Sequence, residues 1–311
     1  MLNATTHQST VQPMNQTTDL PPGLQALLED DTKLSSLPEI YIRVSELLES
    51  ERATSKEIGE VVETDPALSS RILKLVNSAF YGFPSTVASI SQAITILGRD
   101  RLKQLLIGTV LSGVFGKIDN PLFHMEEFWR HSVKTALLGR HLCQMSDAGE
   151  IADVIFTAGL LHDIGRLILA QKLPQYTADI NSAIEDRGMP VTDAERSVLG
   201  FDHCDAGAAF IRKWSLPETL AQAAQYHHRP DQAEQDGELV KVVFIANNLV
   251  FLTPPFNTEE VGFALEDIPG WQSLGLGERA FAEAVELAED QVHEVMDSLG
   301  MLQMRIDLDE D

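Results

Sequence analysis

The sequence predicts an all-α protein. Leu, Ile and Val recur at three- and four-residue spacing through most of the chain, alternating strand-like stretches are nearly absent, and helix-start and helix-stop residues punctuate the apolar segments. A hydrophobic content of 44% over 311 residues provides for a sizeable core and excludes wholesale disorder.

Residues 1–30 are rich in Gln, Asn, Thr and Pro with few apolar anchors, and are expected to form a flexible leader. Residues 31–118 are expected to form an N-terminal helical subdomain, with short helices in IYIRVSELLESE and SKEIGEVVETD. Asp65-Pro66 is a helix start, because Pro tolerates the first turn and Asp caps it, and the helix in SISQAITILG closes on Gly98. Residues 119–252 are expected to form a second helical subdomain. Its segments include EEFWRHSVKTALLGRHLCQM, a long helix through EIADVIFTAGLLHDIGRLILAQKL, then DAERSVLG, DHCDAGAAFIRKWSL, ETLAQAAQYHH and ELVKVVFIANNLVFL. Residues 253–311 open on Pro254-Pro255 and carry one more helix, ERAFAEAVELAEDQVHEVMDSLG, read as part of an acidic C-terminal extension.

Charge and cysteine usage narrow the function classes. A formal net charge of −24 repels polyphosphate backbones, so general nucleic-acid binding is not expected. More than half of it lies in residues 251–311, which hold 15 acidic and 2 basic residues and suit either a solvated tail or a docking surface for a basic partner. The two cysteines, Cys143 and Cys204, form no CxxC pair, so neither a disulfide scaffold nor a thiolate zinc finger is indicated. No signal peptide is legible and no apolar run approaches membrane-span length, so a cytoplasmic location without membrane insertion is expected.

The residues with chemical potential are histidines beside carboxylates or each other: His131 in WRHS, His162-Asp163 in GLLHDIGR, His203 in FDHCD, and His227-His228 in QYHHRP. Glu127, four residues before His131, shares its helix face. Such a cluster suits a borderline divalent ion such as Zn, Mn or Fe. The competing reading is a buried His-Asp pair satisfied by hydrogen bonds alone. In LVNSAFYG, Phe80 and Tyr81 are read as packing residues and Asn77 as a turn-bridging group; Trp129 and Trp214 are read as core.

GLLHDIGR resembles the defining motif of the HD superfamily of metal-dependent phosphohydrolases. From about Leu34 to Leu252 the chain resembles an HDOD domain, the HD-related output domain of bacterial signalling proteins. Four segments carry the likeness: TDPALSSRILKLVNSAFYG, ISQAITILGRDRLK, FWRHSV with GLLHDIGRLIL, and DHCDAGAAFIRKWSLPETLAQAAQYHHRP. The resemblance implies an N-terminal helical subdomain packed on an HD-like bundle. It implies that His131, His162 and Asp163 match metal ligands, and that His203, His227 and His228 match the extra histidines of the HD-GYP phosphodiesterases, with Glu127 where that branch places a further carboxylate.

Three departures bear on function. The final HD-type acid is replaced by Asn247 or Asn248 in IANNLV, and an uncharged amide oxygen weakens a divalent site. The GYP-bearing loop is missing after His228, and Arg166 stands where the hydrolytic branch usually has Lys. The resemblance therefore implies a regulatory or scaffold module, more a binder of other signalling proteins than an enzyme, with no required cofactor and a divalent metal only if the site is retained. The alternatives are a metal-dependent phosphohydrolase acting on a nucleotide or cyclic dinucleotide, and a metal or nucleotide sensor without turnover. Arg166 is the candidate group for a small anionic nucleotide.

Overall fold

The computed structural model describes residues 20–29, 37–115, 118–253 and 265–302. Among the described residues the chain is helical throughout, with no strand. The helices are α1 (Pro22–Glu29), α2 (Glu39–Glu49), α3 (Ser55–Val62), α4 (Pro66–Val76), α5 (Ile90–Leu97), α6 (Arg99–Val114), α7 (Met125–Met145), α8 (Ala152–Leu161), α9 (Ile164–Lys172), α10 (Thr177–Arg187), α11 (Val191–Leu199), α12 (His203–Lys213), α13 (Glu218–Tyr226), α14 (Gly237–Val250) and α15 (Glu278–Ser298).

Local chemistry sets the boundaries. Thr54 and Glu57 form a capping box at the start of α3, and the Asp65 carboxylate accepts the backbone N–H groups of Ala67 and Leu68 in front of Pro66. Gly98, at φ +84°, ends α5 and turns the chain into α6. Asn77 bridges the following turn, donating to Leu73 O and Val87 O and accepting from Val87 N.

α7 is the axis of the molecule, packed against α8, α14 and α15. Trp129 on this helix has no exposed surface and Trp214 is 5% exposed, so both are core residues. Truncating an aromatic as buried as Trp129 to alanine costs about 3–5 kcal/mol.

The structure refines the sequence expectation at three elements. The 1–30 leader contains α1, whose Leu24 and Leu27 are buried, with Gly23 against Phe201 and the Lys213 ammonium on Leu28 O; residues 1–19 and 30 lie outside the described residues. The long helix expected through HDIG is two helices, because the chain breaks at His162-Asp163 between α8 and α9. The acidic C-terminal extension carries the expected helix, α15, and that helix is packed on the core. Ala284, Ala288, Val292 and Val295 line one face of α15 and are buried, as i, i+4 spacing requires. Its acidic face is used too: Glu289 pairs with the buried Lys134 of α7, Asp297 with Lys74 of α4, and Glu294 accepts Ala79 N at 3.0 Å. α15 thereby straps α4 to α7.

Candidate metal centre

Two glycines bring the site's helices together. A Cβ at Gly159 would lie 2.8 Å from Ala136 Cα, so only glycine lets α8 cross α7 closely enough to set His162 beside His131. A Cβ at Gly165 would lie 1.9 Å from His203 O, so the G of HDIG is what seats α9 on the N-terminus of α12. The break after Leu161 then turns the Asp163 carboxylate inward.

Around that carboxylate the imidazoles converge. On one side, Asp163 Oδ1 lies 3.3 Å from His203 Nε2 and 3.2 Å from His227 Nε2, which are themselves 3.3 Å apart. On the other, Asp163 Oδ2 lies 3.6 Å from His162 Nε2 and 3.8 Å from His131 Nε2, with the two histidine nitrogens 3.3 Å apart. Arg166 Nη1 reaches the same Oδ2 at 3.2 Å. The His228 ring packs against that of His227, tilted by 45° with the centroids 4.3 Å apart. The side chains of His162, His203 and His227 have no exposed surface, and Asp163 and His131 are 5% and 6% exposed.

The outer partners fix which nitrogen faces in. His162 Nδ1 donates to Gly159 O at 2.7 Å, His227 Nδ1 to Ala224 O at 2.8 Å, and His203 Nδ1 to Glu195 Oε2 at 2.7 Å. Glu195 also accepts the His203 backbone N–H at 2.8 Å, capping α12. With the protons on Nδ1, the Nε2 lone pairs of His203 and His227 and the buried Asp163 Oδ1 face one another. Three converging acceptors need a shared cation or proton. Tetrahedral coordination at metal–nitrogen distances of about 2.0–2.1 Å gives ligand separations of about 3.3 Å, so these residues fit a divalent ion.

The electrostatics follow from the same packing. Burial opposes the charge on Asp163, but His162, His203, His227 and Arg166 outweigh it and hold the carboxyl well below the usual range. Burial pushes His131 down to about 4 and His162 to about 3. Burial, then repulsion from His227 and His203, pushes His228 to about 2. His203 goes the other way: burial would lower it, yet Cys204, Glu195 and Asp163 raise it well above the ordinary value.

Of the sequence-predicted residues, His131, His162, Asp163, His203, His227, His228 and Arg166 come together. Asn247, 4% exposed, joins them through a side-chain hydrogen bond to His131. Two do not. Glu127 is exposed on α7, and Asn248 spends its Nδ2 on Phe244 O of its own helix. Sequence reasoning missed Glu195, eight positions before His203; Cys204, whose Sγ is 3.5 Å from His203 Nε2; and Phe251, half-exposed with its ring 5.0 Å from that of His131. Cys204 carried a signal, its place beside His203; Glu195 carried none.

This all-helical fold with a central His-Asp break is the HD-like class. The HDOD domain profile matches residues 34–230, and the chain belongs to that family. A protein of Treponema pallidum (strain Nichols), named only as an uncharacterized protein, is 27% identical over 241 residues, covering 76% of this chain; the chain spans about half of that relative, 45% of its length. Among solved structures, a candidate phosphohydrolase from Shewanella amazonensis SB2B superposes with a TM-score of 0.71 at 24% identity, covering 90% of this chain and 98% of that one. An HDOD domain protein of unknown function from Geobacter sulfurreducens gives a TM-score of 0.66 at 22% identity, over 85% and 91% of the two chains. A protein from Marinobacter aquaeolei VT8 named for signal transduction gives 0.65 at 22%, over 86% of this chain and 59% of that one. These likenesses establish the shared fold.

Proposed function

We propose that the protein is an HDOD signalling module whose buried His/Asp cluster holds a divalent cation as a regulatory and structural element without turning over a substrate, and which acts through contacts with other signalling proteins. The observation that carries this reading is the convergence of four Nε2 atoms on one carboxylate with every one of those side chains buried. Structural metal sites are closed, whereas catalytic ones keep a position open to substrate. The cavity that shares Arg166 and Glu195 with the cluster has a volume of about 70 Å³, well below the roughly 300–1,000 Å³ of pockets that enclose a drug-sized ligand. The uncharged Asn247 lowers charge compensation further. A role in signalling also agrees with the name of the Marinobacter neighbour. No helix among the described residues is long and apolar enough to cross a membrane.

One observation favours the hydrolytic reading instead. The Arg166 side chain is 39% exposed while its guanidinium holds Asp163, so it can meet an anionic ligand arriving from solvent. A bound divalent cation would supply a Lewis acid there. Metal analysis of protein purified without chelator, followed by hydrolysis assays on a cyclic dinucleotide panel with Mn or Fe, separates the two. Bound metal with no turnover is expected; turnover lost in Asp163→Ala would overturn the non-catalytic reading.

A further inference from the structure

Cys204 is the second residue of α12, directly after His203, and is fully buried. One ligand atom from each of His203, Cys204, His227 and His228 falls within 4.8 Å of the others. The spacing has metric content. Metal–sulfur and metal–nitrogen distances of about 2.3 and 2.0–2.1 Å put a tetrahedral S···N edge at about 3.6 Å and an N···N edge at about 3.3 Å. The Cys204 Sγ to His203 Nε2 separation is 3.5 Å, and His203 Nε2 to His227 Nε2 is 3.3 Å.

Charge points the same way. A divalent cation among neutral imidazoles in a buried site needs compensation; Asp163 supplies one negative charge, shared between two sides, and the Glu195 carboxylate acts only from behind, through His203. A thiolate at Cys204 would supply the second. The other cysteine makes the contrast. Cys143 on α7 is equally buried but stands outside the histidine group; burial raises both thiols, and only at Cys204 does a neighbouring imidazole, His203, oppose that rise.

Resting on the metal-holding reading above, we propose that Cys204 is a thiolate ligand on the Oδ1 side of Asp163, completing a site with His203 and His227 that takes a thiophilic divalent cation of the zinc or cobalt class in preference to magnesium or calcium. On binding, the sulfur–metal bond forms as the S–H proton is lost to solvent, and His228 stands beside the site as a further nitrogen donor. Soft sulfur and imidazole donors favour this class, whereas hard cations require oxygen-rich shells.

Cobalt(II) titration of the chelator-treated full-length chain tests the assignment without an activity assay. The expected result is a near-ultraviolet sulfur-to-cobalt charge-transfer band that saturates with bound ion, persists in Cys143→Ser and vanishes in Cys204→Ser. Zinc affinity of the Cys204→Ser variant should drop on the order of 100-fold, at least the upper end of the cost of losing an outer-shell partner. Circular dichroism establishes that the variant is folded; should it not be, the wild-type band and its survival in Cys143→Ser carry the result. Cobalt bound without the band, or a band that survives in Cys204→Ser, overturns the ligand assignment and leaves the metal centre standing. No cobalt or zinc binding by the wild-type chain overturns the metal-holding reading as well.

Discussion

The two oxygens of Asp163 face different environments. Oδ1 looks onto His203 and His227, whose rings are locked from behind by Glu195 and Ala224 O, with Cys204 alongside. Oδ2 looks onto His131 and His162, where the nearby polar group on α14 is the neutral Asn247 and the rim reaches solvent through the half-exposed Phe251 and the partly exposed Arg166. One carboxylate thus serves a closed side backed by the Glu195 carboxylate and an open side whose other polar groups are the neutral Asn247 and the cationic Arg166. On the proposed function the closed side keeps the ion, and a ligand or partner would act on it from the open side.

Removing the shared carboxylate should erase the difference. Asp163→Ala is expected to abolish metal binding on both sides and to lower stability by about 3–5 kcal/mol, because it strips a buried charge network of its centre. Elemental analysis and denaturant unfolding read the two effects; retention of a full metal complement would show that the sides do not share Asp163.

Acid should act on the metal-free protein through three neutral imidazoles, His131 and His162 on the open side and His228, pushed down to about 2, beside the closed one. His131 and His162 titrate near 4 and 3 when folded, against an ordinary value of 6.5. Above 6.5 neither the folded nor the unfolded chain protonates them, so their neutral burial costs nothing. As pH falls from 6.5 to about 4, the unfolded chain takes up protons that the folded one excludes, and stability declines. His203 does not cancel this: its raised value gives a contribution already complete below 6.5, and that of Asp163 is lost only below 3.8. A melting temperature that stays flat from pH 6.5 to 4 would contradict the burial assigned to these rings.

The closed side depends on a residue the sequence did not disclose. Glu195→Gln keeps the shape but weakens the acceptor for His203 Nδ1–H, and should cost on the order of 10- to 100-fold in zinc affinity. Calorimetry reads the change, and an unaltered affinity would mean that Ala224 O and the packing suffice to orient the closed side.

Much of the fold was legible because its signals are local. Asp65-Pro66 and Gly98 act within one turn of where they stand, and the apolar spacing of α2 to α7 needs no tertiary information. The histidine motif was legible for the same reason. What stayed hidden depends on partners distant in sequence. The break between α8 and α9 interrupts an otherwise continuous apolar pattern, and the contacts it serves join Asp163 to residues 32 to 64 positions away. The charge count of α15 suggests a solvated tail, yet its acids pair with Lys134, Lys74 and the Ala79 N–H on elements that precede it by more than 150 residues. Glu127 illustrates the converse: i, i+4 spacing places it on the face of His131, but that face curves to solvent one turn earlier.

Asn247→Asp probes the open side with the smallest expected effect. The amide already hydrogen-bonds His131, so a carboxylate there adds charge without changing the shape of the contact. The gain should be on the order of ten-fold in affinity for an oxygen-preferring cation such as Mn, since ligand charge is a main determinant of such affinities. Zinc or cobalt on the closed side should be unaffected, and the sulfur-to-cobalt band with it, because Asn247 lies on the far side of Asp163 from Cys204. A stronger Mn site with an unchanged cobalt spectrum would show that the two sides load independently despite the shared carboxylate. Weaker cobalt binding in the same variant would show instead that Asp163 transmits charge from one oxygen to the other, and that the sides behave as a single coupled centre.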